Sequence, residues 1–231
     1  MDTCHILLWL EGPLQSWGFD SRFNRRDTLK FPTKSGVFGL LLASLGASGA
    51  QKDLLDQLSH FQHTVVAFYS KNQISEVPLL VDFHMVGSGY NDSDTWQRLH
   101  IPKKSDGKKP VGSGAKLTYR YYIQDTSFAV VQEIPLTLKD KLVQSLQQPE
   151  FPLYLGRKSC VPTESLFQGV YAESKDALSA AFDIATQKDK VQSFIVKEGE
   201  HEGEVFILRD VPEVFGVEKY YRDRIVTVMY E

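Results

Sequence analysis

Gly12-Pro13-Leu14-Gln15-Ser16-Trp17-Gly18 leads through a basic loop into Phe31-Pro32-Thr33-Lys34-Ser35-Gly36 and then into the apolar run from Val37 to Leu45. Cys4 to Leu10, just before it, is a continuous apolar run and reads as a strand buried on both faces. The Gly-Pro and Trp-Gly pairs mark a turn-rich exit from that strand, which leaves backbone amides open. Thr33 or Ser35 is placed to cap a helix whose body is almost wholly apolar, and so buried. The loop and helix start carry Arg22, Arg25, Arg26, Lys30 and Lys34 against Asp20 and Asp27, with Phe19, Phe23 and Phe31 interleaved, a mixture suited to phosphates and stacked bases. With its unpaired N–H groups and positive dipole end, the helix start favours an anion. A capped helix after a basic loop also occurs in proteins that bind nothing there, so the buried helix is the firmer of the two readings.

Outward from this stretch, Asp53 to Leu58 reads as a short amphipathic helix, and Val65 to Tyr69 and Val77 to Val81 as strands. Strand, loop, helix, strand, strand is the opening of a ferredoxin-like unit. From Asp82 to about Leu117 the pattern gives way to glycines, prolines and lysines. Strand character returns at Thr118 to Ile123 and Phe128 to Val131, so the lysine-rich stretch is expected to be a hairpin or finger, the alternative being a solvated insertion. A helix follows from Thr137 or Leu138 to Leu146, then the glycine turn Tyr154-Leu155-Gly156-Arg157-Lys158-Ser159-Cys160, whose amides and two bases suit a phosphate. It is equally the form of an ordinary loop with solvated charges. Ala177 to Thr186 is a further helix, and Val191 to Val196, Glu204 to Leu208 and Arg224 to Met229 are strands.

With 231 residues and 42% hydrophobic content the chain can bury a real core as one large domain or two small ones. Its net charge of −3 excludes a uniformly basic surface, but the charge is segregated. Residues 98–120 carry seven Lys or Arg against one acid, and residues 198–223 carry eight acids against three bases, so one face can hold RNA while another stays acidic. Cys4 and Cys160 show neither disulfide-scaffold nor zinc spacing, which fits a reducing cytoplasm. The apolar run at 6–10 is too short, and lacks the basic flank, for a signal-peptide core, and nothing approaches a membrane span.

The stretch from Gly107 to Lys116 lacks the G-K-[ST] ending of a phosphate-binding loop, and Gly87-Ser88-Gly89 lacks the third glycine of a dinucleotide fingerprint. No nucleophile elbow or zinc-protease motif is present, so no cofactor and no metal are expected. A metal-independent ribonuclease needs only a base, an acid and a cation around one phosphodiester. His84, His100, Lys116, Tyr119 and Tyr121 lie near the finger and keep that alternative open, against the plainer reading that they are surface or sheet side chains.

With its three motifs in this order, Gly12 to Gly18, Phe31 to Gly36 and Tyr154 to Cys160, the chain resembles the CasD family, the Cas-five subunit of type I-E CRISPR Cascade in the RAMP superfamily. The resemblance runs from the first strand to about Gly169 and weakens in the finger and the C-terminal third. It implies an α+β chain: a ferredoxin-like (RRM-like) domain over residues 1–150, a long β-hairpin thumb at about 82–117, and a smaller β-rich C-terminal part at 151–231. It implies a non-catalytic, cytoplasmic subunit that holds the 5′ handle of the CRISPR RNA (crRNA) and caps a backbone filament. The expected partners are crRNA, a CasC-type backbone subunit, a large CasA-type subunit and, through the complex, target DNA. The alternative within the same family is a crRNA-processing endoribonuclease, as in type I-C systems. The expected RNA-binding residues are Gln15, Ser16, Trp17, Arg25, Arg26, Lys34, Ser35, Tyr154, Gly156, Arg157, Lys158 and Ser159, with Lys103, Lys104, Lys108 and Lys109 in the thumb.

Overall fold

The first strand, β1 (Thr3–Leu10), is apolar on both faces because both faces are covered. In the computed structural model, which describes residues 2–19, 21, 24–72, 77–86, 91, 93–100, 106–107 and 116–230, two very short strands follow it, β2 (Leu14–Gln15) and β3 (Arg25–Arg26). Next come α1 (Lys34–Ser44), α2 (Lys52–Ser59), β4 (His63–Ser70), β5 (Leu80–Val86), α3 (Thr95–His100) and β6 (Lys116–Gln124). The chain then forms β7 (Ser127–Pro135), α4 (Leu136–Gln147), β8 (Phe167–Tyr171), α5 (Ser174–Gln187), β9 (Lys190–Glu198), β10 (Glu204–Val214) and β11 (Tyr220–Tyr230). The class is α+β, as the sequence implies.

Seven strands form one sheet in the order β10-β11-β9-β4-β7-β1-β8. Within it, β1, β4, β7 and β8 are the four strands of a ferredoxin-like unit, with α1 and α4 as its two crossover helices. Alternation sorts the side chains. Ile6, Leu8, Leu10, Phe128 and Val130 point toward α1, α2 and α4, whereas Leu7, Trp9, Val66, Phe68 and Ala129 point toward α5. A one-residue slip in any of these strands would exchange the two sets. The helix α5 presents Ala177, Ala181 and Ala185, spaced by four, so its backbone lies close to the sheet. Trp9 stacks against Phe68 at 5.4 Å, and each such large buried side chain contributes roughly 1.5–3 kcal/mol.

The boundary expected at residue 150 does not coincide with a break in this sheet. Strand β8 completes the ferredoxin unit from beyond it, and β9, β11 and β10 continue the sheet past β4. Strand β5 begins three residues later than the sequence suggests, after Pro78, which has no N–H to give a ladder. Strand β10 runs on to Val214 through irregularities at Arg209/Val211 and Pro212/Val214. The two strands that flank the expected hairpin do pair: β5 and β6 run antiparallel from Leu80↔Tyr122 to Val86↔Lys116, and β6 also pairs with β2 and β3. Lys103, Lys104, Lys108 and Lys109 lie outside the described residues. Among the described residues, no helix is long and apolar enough to cross a membrane.

Candidate nucleic-acid interface

The exit from β1 and the glycine turn after α4 are held together by main chain. Ser16 N–H donates to Leu155 O at 3.0 Å, and Leu155 N–H to Cys160 O at 2.7 Å, which closes the turn on itself. Gly156 has φ +93°, and a β-carbon there would fall 1.8 Å from Ser16 O. Only glycine fits so close an approach in that conformation. Gln15 is fully buried: its amide donates to Leu10 O and Thr126 O, and its Oε1 accepts from Trp17 Nε1. Ser16 Oγ donates to Tyr121 O.

Thr33 caps α1, its Oγ1 accepting from Gly36 N–H at 3.1 Å. The anion at this helix start is internal. Asp210 Oδ2 accepts from Lys34 N–H at 2.8 Å and is itself paired with Arg224. The Lys34 side chain, 1% exposed, turns inward to Glu198 at 2.8 Å and to the carbonyls of Ser59 and Phe61. Arg224 closes the quartet, donating to Glu198 and to both oxygens of Asp210 at 2.6–2.8 Å. Burial pushes the Lys34 amine down from its ordinary value, partly offset by Glu198. Burial opposes the charge on Arg224 too, but Asp210 and Glu198 outweigh it and raise its pKa. Two cations and two carboxylates balance, so the quartet ties the C-terminal strands to the start of α1 and offers no net charge to a ligand.

On the open side of the same helix turn lie two adjoining clefts. The first, of about 280 Å³, is lined by Ser16, Trp17, Ser35, Gly156, Arg26 and Arg157, among others. The second, of about 610 Å³, shares Ser35, Gly36, Gly156 and Phe215 with it and adds Tyr154, Lys158 and Lys219. Among the described lining residues are four cations and no carboxylate. The Arg157 guanidinium donates to Tyr121 O and Arg26 O and lies 4.7 Å over the Tyr122 ring. Its charge is therefore held in place by carbonyls and a ring, with no carboxylate partner among the described residues. A concave, basic, partly aromatic surface of this kind suits the backbone of single-stranded nucleic acid.

The structure thus brings Ser16, Trp17, Arg26, Ser35, Tyr154, Gly156, Arg157 and Lys158 to one surface. It corrects the expectation for Lys34, whose ammonium is engaged inside, and for the helix start, where the Lys34 and Gly36 amides are taken by Asp210 and Thr33. Trp17 is also corrected: its ring is 1% exposed and packed on Gly36, where a β-carbon would come within 2.7 Å of it, so it frames the cleft and presents no free face. Gln15 is a buried brace. Arg25 lies outside both clefts, paired with Asp27 and 4.9 Å over the Tyr121 ring, and exposed Ser159 lines neither. Sequence reasoning missed Ser21 and the segment Phe215, Gly216, Lys219 and Tyr221. The signal for that segment was a glycine turn with a lysine and tyrosines inside an otherwise acidic stretch.

Among the described side chains, those of the ribonuclease alternative do not converge. His84 contacts Asp82 at 2.5 Å, and the register puts His84 opposite Thr118, so Tyr119 and Tyr121 project from the other face of the ladder. The side chains of His100 and Lys116 lie outside the described residues.

A family model described as "CRISPR-associated protein (Cas_Cas5)" matches residues 5–227. The chain is 29% identical over 168 residues to the CRISPR system Cascade subunit CasD of Escherichia coli (strain K12), covering 71% of this chain and 70% of that protein. Among solved structures it is similar to a chain of a CRISPR RNA-guided surveillance complex, with TM-score 0.72, 26% identity, and coverage of 98% of this chain and 89% of that one. It is also similar to a Cas protein crystal structure, with TM-score 0.63, 28% identity, and coverage of 98% and 94%.

Proposed function

The chain belongs to the CRISPR-associated Cas5 family, and from that premise we propose that it is a non-catalytic RNA-binding subunit of a Cascade-type surveillance complex. In this reading it holds the 5′ handle of the crRNA and caps the backbone filament, beside a CasC-type subunit and a large CasA-type subunit, with target DNA reached through the complex. The observation that carries the reading is the meeting of the three motifs at clefts lined by Arg26, Arg157, Lys158 and Lys219 with no carboxylate among the described lining residues. The phosphodiester backbone meets these cations, and the exposed bases meet the aromatic side chains between them. The basic hairpin, around residues 82–117, is read as this chain's thumb, which reaches over the neighbouring backbone subunit. No cofactor enters this role, and in this reading the assembly works in the cytoplasm.

The test is a single incubation of the protein with labelled CRISPR repeat RNA in EDTA, run on native and denaturing gels. The expected result is a shifted, intact RNA whose shift is weakened by Lys158→Glu. Specific cleavage that vanishes with His84→Ala would overturn the reading and make the chain a processing endoribonuclease.

A further inference from the structure

We propose that the larger cleft is a receptor for one unstacked base of the bound RNA, seated on the outer face of α1. This rests on the RNA-binding reading above and extends it to a base. Helix α1 is packed on its inner sides by Val37, Phe38 and Leu41, all buried. Two glycines interrupt its outer side, and they differ. At Gly36 the Trp17 ring occupies the space a side chain would need, so the chain itself explains the glycine. At Gly39 a β-carbon would meet nothing within 4 Å. A glycine inside a helix is destabilising, and here no internal neighbour requires it; what it does is keep the floor of the cleft flat.

That floor is formed by Gly39 and Ala43, flanked by Phe151 and Phe215, with Lys158 and Lys219 among the lining residues. The cleft, about 610 Å³, falls within the range of roughly 300–1,000 Å³ typical of sites that enclose a small planar group. Charge selects the occupant. An apolar floor alone would suit a peptide, but two lysines and no carboxylate among the described lining residues suit a planar group flanked by phosphates. Continuity points the same way, because Ser35, Gly36, Gly156 and Phe215 belong to both clefts. A strand whose phosphates lie along Arg26 and Arg157 therefore runs directly to a surface where a base loses water against helix and rings. Stacking on aromatic faces tolerates any base, so the cleft fixes the position of a flipped nucleotide more than its identity.

The test uses the full chain, repeat RNA, and a panel of the same RNA carrying one abasic site at a time. In the wild type, one abasic position is expected to weaken binding by roughly 5- to 150-fold, the span that losing one base–aromatic stack produces. Gly39→Leu adds a side chain to the floor at a position whose β-carbon meets nothing within 4 Å; it is expected to bind intact RNA more weakly by that factor, to show no further loss with that abasic RNA, and to keep the wild-type salt dependence. Gly39→Ala, a smaller addition, controls for folding by a thermal scan. The inference alone is overturned if no abasic position matters in the wild type, or if Gly39→Leu binds every RNA normally while Lys158→Glu still weakens binding. Normal RNA binding by Gly39→Leu together with lost association to a neighbouring protein subunit would give the cleft to an apolar peptide segment and overturn the inference in another way. A wild type that retains no RNA at all overturns both this inference and the function it rests on.

Discussion

Two sets of charges flank the same helix turn and behave in opposite ways. On the inner side Lys34, Arg224, Glu198 and Asp210 are buried, paired and balanced; on the outer side Arg26, Arg157, Lys158 and Lys219 line open clefts with no carboxylate among the described lining residues. Lys34 and Ser35 are neighbours in sequence, yet one points into the quartet and the other lines the clefts. Burial, not residue type, decides which cation is structural and which remains for a ligand. A buried pair gives up hydration and regains it only through its partner, whereas an exposed cation beside no carboxylate keeps its field in solution.

The strongest way to break this contrast is to unbalance the inner set. Asp210→Ala leaves the Lys34 amide without its acceptor and the two buried cations with Glu198 as their one carboxylate partner among the described residues, and should cost about 3–5 kcal/mol in urea unfolding, while the folded fraction binds RNA normally. A loss below about 1 kcal/mol would mean the quartet is not closed as described. Next in size is Gly156→Ala, which forces a side chain into φ +93° against Ser16 O. Backbone strain alone costs roughly 1–3 kcal/mol. Since the turn carries Arg157 and Lys158, RNA affinity should fall with stability, which separates this glycine from Asp210.

A third, smaller effect sharpens the contrast through pH. Burial first, then Arg224 and Lys34, hold the His63 pKa well below its ordinary 6.5. The unfolded chain takes up this proton as pH falls below that value while the folded chain does not. Stability is therefore full above about 6.5 and drops toward the depressed folded value, by at most about 1.4 kcal/mol per pH unit. Urea midpoints between pH 7.5 and 5 should show this slope in the wild type and a flatter profile in His63→Gln. Equal slopes would mean that His63 does not carry this pH dependence.

Much of the fold was legible because it is written locally. The two-sided apolar pattern of β1, the cap expected at Thr33 or Ser35 and the helix expected up to Leu146 need only neighbours within a few residues, and they led to the ferredoxin-like class. The order was legible only in part, because Val77 to Val81 read as the unit's next strand, whereas β5 pairs with β6 outside the seven-stranded sheet and β7 takes that place. The exchange of partners across the chain was not legible. Glu198 and Asp210 lie more than 160 residues from Lys34, and nothing in the local pattern says that an acidic C-terminal stretch folds back to neutralise a lysine at a helix start. The same distance hid Phe215 and Lys219, which reach the clefts only because β10 and β11 extend the sheet past β4. Trp17 was misleading for a different reason: an aromatic beside glycines reads alike whether its face is open to a base or pressed against Gly36.

The most direct measurement compares RNA affinity across salt concentrations for the wild type and the triple variant Arg26→Ala, Lys158→Ala and Lys219→Ala, with unfolding midpoints measured alongside. Three lost phosphate contacts on a single strand should reduce the log–log salt slope by about 2. Stability should stay within about 0.5 kcal/mol per substitution, because these side chains enter no buried network. An unchanged salt slope with weakened stability would contradict the division between the two sets of charges, and would move the RNA away from these clefts.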